Sequence, residues 1–385
     1  MKNSLITSKG RKKMKKYSLI RKYLTIGVIF FFIGTSIVPS IQSEFPSKKN
    51  IITVDNEPGD ADFTSIKEAV NASSPGDTIE VYSGIYLEQG IRIEKNNITL
   101  LGIDHELGAG NDSGKPFVKG DGTVTIIKII ASYVTVSNFT IEDSNPTTSY
   151  SCIQVGAYWP DPLDSITISD CVVSDCIISN SRTGILGGHW GHLDDTTIIN
   201  NKVSNCYDYG IYTEAVYNPV VYTIEGDFYI SRNVITDCHD IGLYFLGDRQ
   251  NISGNRITRC KIGLVFRGAK NIIYGNDFES CSVGVYDNFV IPRINGERDG
   301  GHTNIITKNN FKNYSRGKIW WDKPPSFLIM ILNKFRKEGW KENYWDTWSG
   351  VGPKLIPGVF VFGETMILPW FNFDWKPAKE PYEFY

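Results

Sequence analysis

Two imidazoles and two carboxylates fall within seven positions: His189, His192, Asp194 and Asp195, in Gly188-His-Trp-Gly-His-Leu-Asp-Asp195. Groups of these two kinds, held close, either move protons or ligate a divalent ion. Glycoside hydrolysis uses two carboxylates about 5–9.5 Å apart, and Asp194 and Asp195 beside a histidine supply the raw material. The same stretch offers a metal reading, with His189 and His192 joined by either aspartate. Neither spacing is diagnostic on a loop, and a solvated turn insertion explains the same residues.

A second set is chemically different. After recurrent Gly-apolar pairs the chain alternates so that Tyr212, Tyr244, Val265 and Tyr286 point to one side. Glu214, Leu246, Arg267 and Asn288 follow two positions later. Aromatic rings beside a carboxylate and a guanidinium suit a sugar chain, with Tyr212, Glu214, Tyr244, Arg267 and Tyr286 as ligand-binding residues. The opposing reading is that tyrosine is a good strand residue and covers the sheet. Calcium is a further cofactor reading, through Asp161, Asp164, Asp170 or Asp175. Copper suits the composition less well, with four methionines and five histidines in 385 residues.

What must position these groups is a repeat. Ile198-x-x-Asn201-x-Val203-x-x-Cys206 recurs as Ile230/Asn233/Ile235/Cys238, Ile252/Asn255/Ile257/Cys260 and Ile273/Asn276/Phe278/Cys281. Ile168 to Cys176 fits with Cys171 in the Asn place, and Ile306 to Phe311 fits with Asn309. Each unit continues into Gly and an apolar residue: Gly184-Ile185, Gly210-Ile211, Gly242-Leu243, Gly263-Leu264 and Gly284-Val285. Three short strands per turn of 20–30 residues describe a solenoid. The predicted fold is all-β: a single-stranded right-handed parallel β-helix of about ten rungs. The Ile residues should stack in one interior column and the asparagines in another, as an amide ladder. Asn is expected to take the left-handed turn conformation itself.

Both ends of such a rod need caps. Phe63, Ile66 and Val70 lie on one face of a short N-terminal helix, with Asp62 or Thr64 able to cap it. Seven of the nine tryptophans lie beyond residue 316, and Ser326–Phe335 reads as a short apolar helix in a C-terminal cap. The expected divisions are 1–43, an export signal or membrane anchor; 51–315, the β-helix; and 316–385, the cap.

The first of these holds nine basic residues and no acidic one, then the apolar run 24–38, the parts of a secretory signal or an N-terminal anchor. Either places the rest outside the cell or on its surface. Removing it takes the net charge from −2 to −11, which argues against a nucleic-acid partner. Seven cysteines would invite disulfides in an exported protein. Five of them share one place in the repeat, where rungs about 4.8 Å apart do not suit a bridge. They read as buried free thiols.

The segment from Asp62 to Asn71, Pro75-Gly-Asp-Thr78 and Ser83-Gly-Ile-Tyr-Leu-Glu88 resemble the opening of pectin-lyase-like β-helices. The repeats resemble those of NosD-like, carbohydrate-binding and sugar-hydrolase domains, and Asn343-Tyr-Trp345 resembles the motif closing many of them. The tail Leu368–Tyr382 resembles that of exported archaeal proteins of this kind. The resemblance implies the fold and a polysaccharide or cell-envelope partner. It also implies two alternatives: a polysaccharide lyase or glycoside hydrolase, or an accessory factor in copper-protein maturation. The catalytic segments of pectin methylesterases have no counterpart here. The Asp194-Asp195 and Gly188-His189 fragments stand in the reverse of the polygalacturonase order. A binding or envelope protein without evident catalysis is therefore the leading expectation.

Overall fold

The computed structural model describes residues 50–383, except 109, 144, 148–149, 157–166, 189–191, 215, 219–222, 226, 269, 290–303, 314–315, 322–338 and 363–365. The export segment, including 24–38, lies outside the described residues. So do the expected Ser326–Phe335 helix and Asp161, Asp164 and His189.

The chain winds through three parallel sheets of eleven, ten and nine strands. One rung shows the unit: Thr196–Ile199 in sheet 1, Lys202–Ser204 in sheet 2 and Tyr209–Glu214 in sheet 3. Each strand pairs with its counterpart one rung away. This is a right-handed parallel β-helix, as the repeat predicts. Ile198, Ile230, Ile252, Ile273 and Ile306 are paired in strict register and none has any exposed surface. A second interior column runs Val203, Ile235, Ile257, Phe278, Phe311 and Trp345.

The asparagines form the expected ladder. Asn201 Nδ2 donates to Asn233 Oδ1, Asn233 to Asn255, Asn255 to Asn276 and Asn276 to Asn309, each at 3.0 Å. Each Nδ2 also reaches a backbone carbonyl, as Asn255 does with Ile230 at 2.8 Å. The Oδ1 of Asn233, Asn255, Asn276 and Asn309 each also takes the backbone N–H of the asparagine before it in the ladder. Asn309 continues the chain to Asn343, whose Nδ2 donates to Asp374 Oδ2 at 3.1 Å. Trp345 Nε1 donates to that same oxygen at 3.0 Å, so a buried carboxylate closes the array.

The turn geometry differs from expectation by one position. The left-handed residue is the one before each ladder residue: Asn200, Arg232, Gly254, Gly275, Lys308 and Glu342, with φ between 53° and 66°. The bend falls there so that the asparagine can point inward and pair. Its value lies in donors and acceptors, not in tolerance of positive φ.

Packing explains the recurrent glycine. A Cβ on Gly210 would lie 2.5 Å from Ile235 Cγ2 and 3.1 Å from the Cys238 sulfur of the next rung. Gly184 and Gly242 meet Cys206 and Cys260 in the same way. Glycine and cysteine are two halves of one contact between rungs. All seven thiols are free and buried.

The N-terminal helix spans Ile66–Ala72 and buries Ile66, Ala69 and Val70. Its cap is Ser65, which accepts from Glu68 N–H at 3.2 Å. Neither Asp62 nor Thr64 takes that role. Asp62 accepts from the backbone N–H and hydroxyl of Thr53 instead. Those bonds hold its carboxyl below the usual range. The remaining helix donors are met from a distance. Glu88 receives Ile66 N–H at 3.0 Å and Lys67 N–H at 2.9 Å, a carboxylate placed where the helix end favours one.

Candidate functional site

Tyr212 and Tyr244 lie on the outer face of sheet 3, and the backbone register read from sequence continues through Val265 to Tyr286. Tyr212 pairs with Tyr244, Tyr244 with Val265 and Val265 with Tyr286. Glu214, Leu246 and Arg267 form the adjacent column. The Tyr212 and Tyr244 rings are parallel within 3° with centroids 4.9 Å apart. Tyr209 meets both edge-on, at 5.0 and 5.8 Å. Tyr212 Oη donates to Glu214 Oε2 at 2.6 Å. Burial and then that bond push the phenol well above its ordinary value.

This face is not the open surface that strand alternation implies. Tyr212 and Tyr244 are half-buried, and Leu246 and Val265 keep only 9% and 3% of their surface. Because stacking spends one face of each ring on the other, a sugar would meet ring edges and hydroxyls more than open faces. Arg267 is half-buried on the same side, and its guanidinium has no hydrogen-bond or ion-pair partner among the described residues. A guanidinium left so is poised for a carboxylate or a pair of hydroxyls.

The Asp194–Asp195 pair lies elsewhere, on the exposed turn between His192–Asp194 and Thr196–Ile199. Asp195 has φ 44°. Its carboxyl is raised by desolvation and then by the charges of Asp194, Asp227 and Asp170. Asp194 Oδ1 accepts from the backbone N–H of Asp195 at 3.2 Å and of Asp227 at 3.4 Å. The turn is thus an acidic edge stabilised by backbone donors. Asp170 is exposed and takes the Ser169 hydroxyl at 2.7 Å, while Asp175 is half-exposed one turn further on.

A third group escaped the sequence reading. Asp55, just after the strand Ile51–Val54, has no exposed surface. Glu57 and Glu106 join it, with ligand-type oxygens of all three within 4.8 Å of one another. Asn56 Nδ2 occupies Glu57 Oε1 at 3.0 Å, and Asp112 N–H occupies Glu106 Oε2 at 2.8 Å. Both oxygens of Asp55, Glu57 Oε2 and Glu106 Oε1 are left with no partner. The Asp55 carboxyl is pushed up to about 6 by burial, then by the charges of Glu106 and Glu57. Tyr86, itself buried, packs beside them with its hydroxyl given to Tyr82 O at 2.9 Å. Gly84 carries no Cβ that would collide with the Asn56 amide oxygen. Thus Gly84, Tyr86 and Glu88, which read as a structural start, build this corner. Asp55 and Glu57 are close in sequence, but no local signal brings Glu106 to them.

Copper is held by thiolate, thioether or imidazole ligands. Here Cys171 and Cys176 are pushed up to about 11 by burial. His105 meets Tyr82 edge-on, and His239 stacks on Tyr207. Among the described residues the one cluster of metal-ligating side chains is the all-carboxylate set at Asp55. These residues do not fit copper.

Rungs, amide ladder and capping helix define a pectin-lyase-like parallel β-helix. Within that class, residues 70–350 match the family model of NosD, described as periplasmic copper-binding protein. The chain belongs to the NosD family. No curated protein matches it by sequence. Similar solved structures include XylC in complex with xylose, at 13% identity over 71% of this chain and 70% of that one, TM-score 0.46. The periplasmic alginate epimerase AlgG is 14% identical over 71% and 70%, TM-score 0.34. Pectate lyase Pel9A is 13% identical over 72% and 79%, TM-score 0.37. Among the described residues no helix is long and apolar enough to cross a membrane.

Proposed function

We propose that this chain is an exported or surface-held NosD-family β-helix that binds a polysaccharide or envelope glycan along the outer face of sheet 3, without chemistry of its own. The observation that carries this is Arg267, a half-buried guanidinium without a partner among the described residues, one column from the stacked tyrosines and the Tyr212–Glu214 pair. Tyrosine hydroxyls and ring edges would hold sugar rings, and Glu214 and Arg267 would fix their orientation by charge-assisted bonds. Export, by the 1–43 segment as signal or anchor, belongs to the same proposal.

A glycan-array screen paired with a reducing-sugar assay tests it. A hit without release of reducing ends is expected. In the triple variant Tyr212→Ala, Tyr244→Ala, Tyr286→Ala, each lost contact should weaken that binding by about 1 kcal/mol. Unchanged affinity in a folded triple variant would make the tyrosines mere sheet cover. The raised Asp195 carboxyl beside Asp194 favours one second reading, hydrolysis or lysis at that turn. In that case Asp194→Asn or Asp195→Asn abolishes release of reducing sugar and leaves binding intact.

A further inference from the structure

The corner just after the first strand holds three carboxylates, Asp55, Glu57 and Glu106. Among the described residues no lysine, arginine or histidine forms an ion pair with Asp55, Glu57 or Glu106. Tyr86 adds a phenol that these same charges keep protonated, after burial. A carboxylate without exposed surface, eased only by the neighbouring Asn56 backbone N–H, is costly, on the order of several kcal/mol. The other donors around it are already committed. The Asn56 amide nitrogen is on Glu57, the Asp112 N–H on Glu106, the Tyr86 hydroxyl on Tyr82 O and the Ser83 hydroxyl on Gly114 O. What remains is a set of free acceptor oxygens: two on Asp55 and one each on Glu57 and Glu106, together with the Asn56 amide oxygen lodged at Gly84.

We propose that Asp55, Glu57 and Glu106 form a binding site for a hard divalent cation, calcium in preference to magnesium or copper, that ties the segment after the first strand to the 104–114 loop. The donors are all oxygen, as calcium requires and copper does not. The ligand oxygens of all three carboxylates lie within 4.8 Å of one another, near enough to meet on one ion. Three carboxylates converging from the protein suit calcium, whereas magnesium keeps its waters and is held by fewer carboxylates. The site brings together residues about fifty positions apart, so an ion there would close the open end of the solenoid. It is independent of the glycan face and far from the copper chemistry that describes the family. The competing chemistry is a proton: Asp55 and Glu106 are close enough to share one.

The experiment uses the full purified chain, stripped with EDTA and then given CaCl2, MgCl2 or CuSO4. Terbium is an oxygen-seeking luminescent stand-in for calcium, excited through a nearby tyrosine such as Tyr86. Calcium should raise the thermal midpoint by several degrees over EDTA, with a smaller magnesium effect and none from copper beyond that of an unrelated protein. Terbium emission should appear and be displaced by calcium. Glu57→Gln and Glu106→Gln should each weaken calcium binding at least about tenfold, since each removes one of three charges. The wild-type comparison needs no variant, and half-exposed Glu57 is the substitution least damaging to folding. No calcium shift and no terbium signal in the wild type would overturn the site. So would calcium shifts that persist undiminished in Glu57→Gln, which would place binding on another acidic edge such as Asp194–Asp227. A midpoint raised by Asp55→Asn in EDTA and indifferent to calcium would establish the shared proton instead.

Discussion

Two of the buried polar arrays among the described residues differ in one respect. In the ladder from Asn201 to Asn343 every amide nitrogen and oxygen has a partner, and the last link ends on Asp374 with tryptophan and asparagine donors around it. At the Asp55 corner Asp55 itself is as inaccessible, Glu57 and Glu106 are half-exposed, and one oxygen of each glutamate and both of Asp55 lack a hydrogen-bonded partner among the described residues. A satisfied polar array is structural: it sets the register of rungs and holds itself together. An unsatisfied one asks for something the chain does not supply. By that criterion the ladder is scaffold and the Asp55 corner is a site. The outer face of sheet 3 lies between them, with Tyr212 and Glu214 satisfied by each other and Arg267 left over.

The comparison breaks most severely if the ladder proves dispensable. Ile252→Asp puts an unpaired charge in a column without exposed surface and should prevent folding outright. A soluble variant with normal amide exchange protection would contradict the repeat itself. Asn255→Leu is the finer probe. It strands the backbone N–H of Asn233 and the amide-bonded carbonyl of Ile230, and takes one of two bonds from the amide nitrogen of Asn233 and the oxygen of Asn276. At about 1–3 kcal/mol for each buried group left unpaired, the loss should be on the order of 3–5 kcal/mol, read by denaturant unfolding. A loss under about 1 kcal/mol would mean that the ladder is ornament.

A smaller effect tests how dry the interior is. Cys171 and Cys176 hold their protons to about pH 11 when folded, while an unfolded thiol releases its own near 8.5. Between those values the folded chain binds more protons than the unfolded one. Stability must therefore fall as pH rises from about 9 towards 11, by up to about 1.4 kcal/mol per pH unit for each thiol. Unfolding curves at pH 8, 9 and 10 measure it, and Cys176→Ala should flatten part of the slope. A wild-type stability that stays level over this range would show that water reaches the thiol column.

The parts that were legible in the sequence are those where one rung repeats another. The Ile, Asn, Cys and Gly columns carry the same residue at the same step, and parallel pairing turns that step into contact. Four features were not legible. The left-handed turn residue sits one place before the asparagine, because inward hydrogen bonding outweighs the turn preference of its side chain. The helix cap is Ser65 because Thr53, from the neighbouring strand, claims Asp62. Glu106 reaches Asp55 through a loop with no counterpart in the other rungs, and Val265 and Leu246 are covered though they alternate outward. Repetition reveals what rungs share, whereas sites and coverings come from what a single rung adds.

The smallest expected effect concerns the face where the two kinds of array meet. Tyr212→Phe keeps the ring, its stacking on Tyr244 and its register, and removes only the hydroxyl that binds Glu214 at 2.6 Å. A hydrogen bond to a charged, half-buried carboxylate contributes about 1–2 kcal/mol, and the freed Glu214 recovers part of that through water. Stability should therefore drop by about 1 kcal/mol or less, measurable as a small shift in the denaturant midpoint at unchanged slope. Binding separates the two readings of the face. If the hydroxyl holds Glu214 in place for a sugar, affinity for a ligand found by screening falls by roughly tenfold, more than the stability loss alone explains. If the tyrosines only cover the sheet, Tyr212→Phe binds as the wild type does. Arg267→Gln, which touches no described partner, should then also be silent in both measurements. Silence in stability with loss of binding at Arg267 is the pattern that the glycan proposal requires.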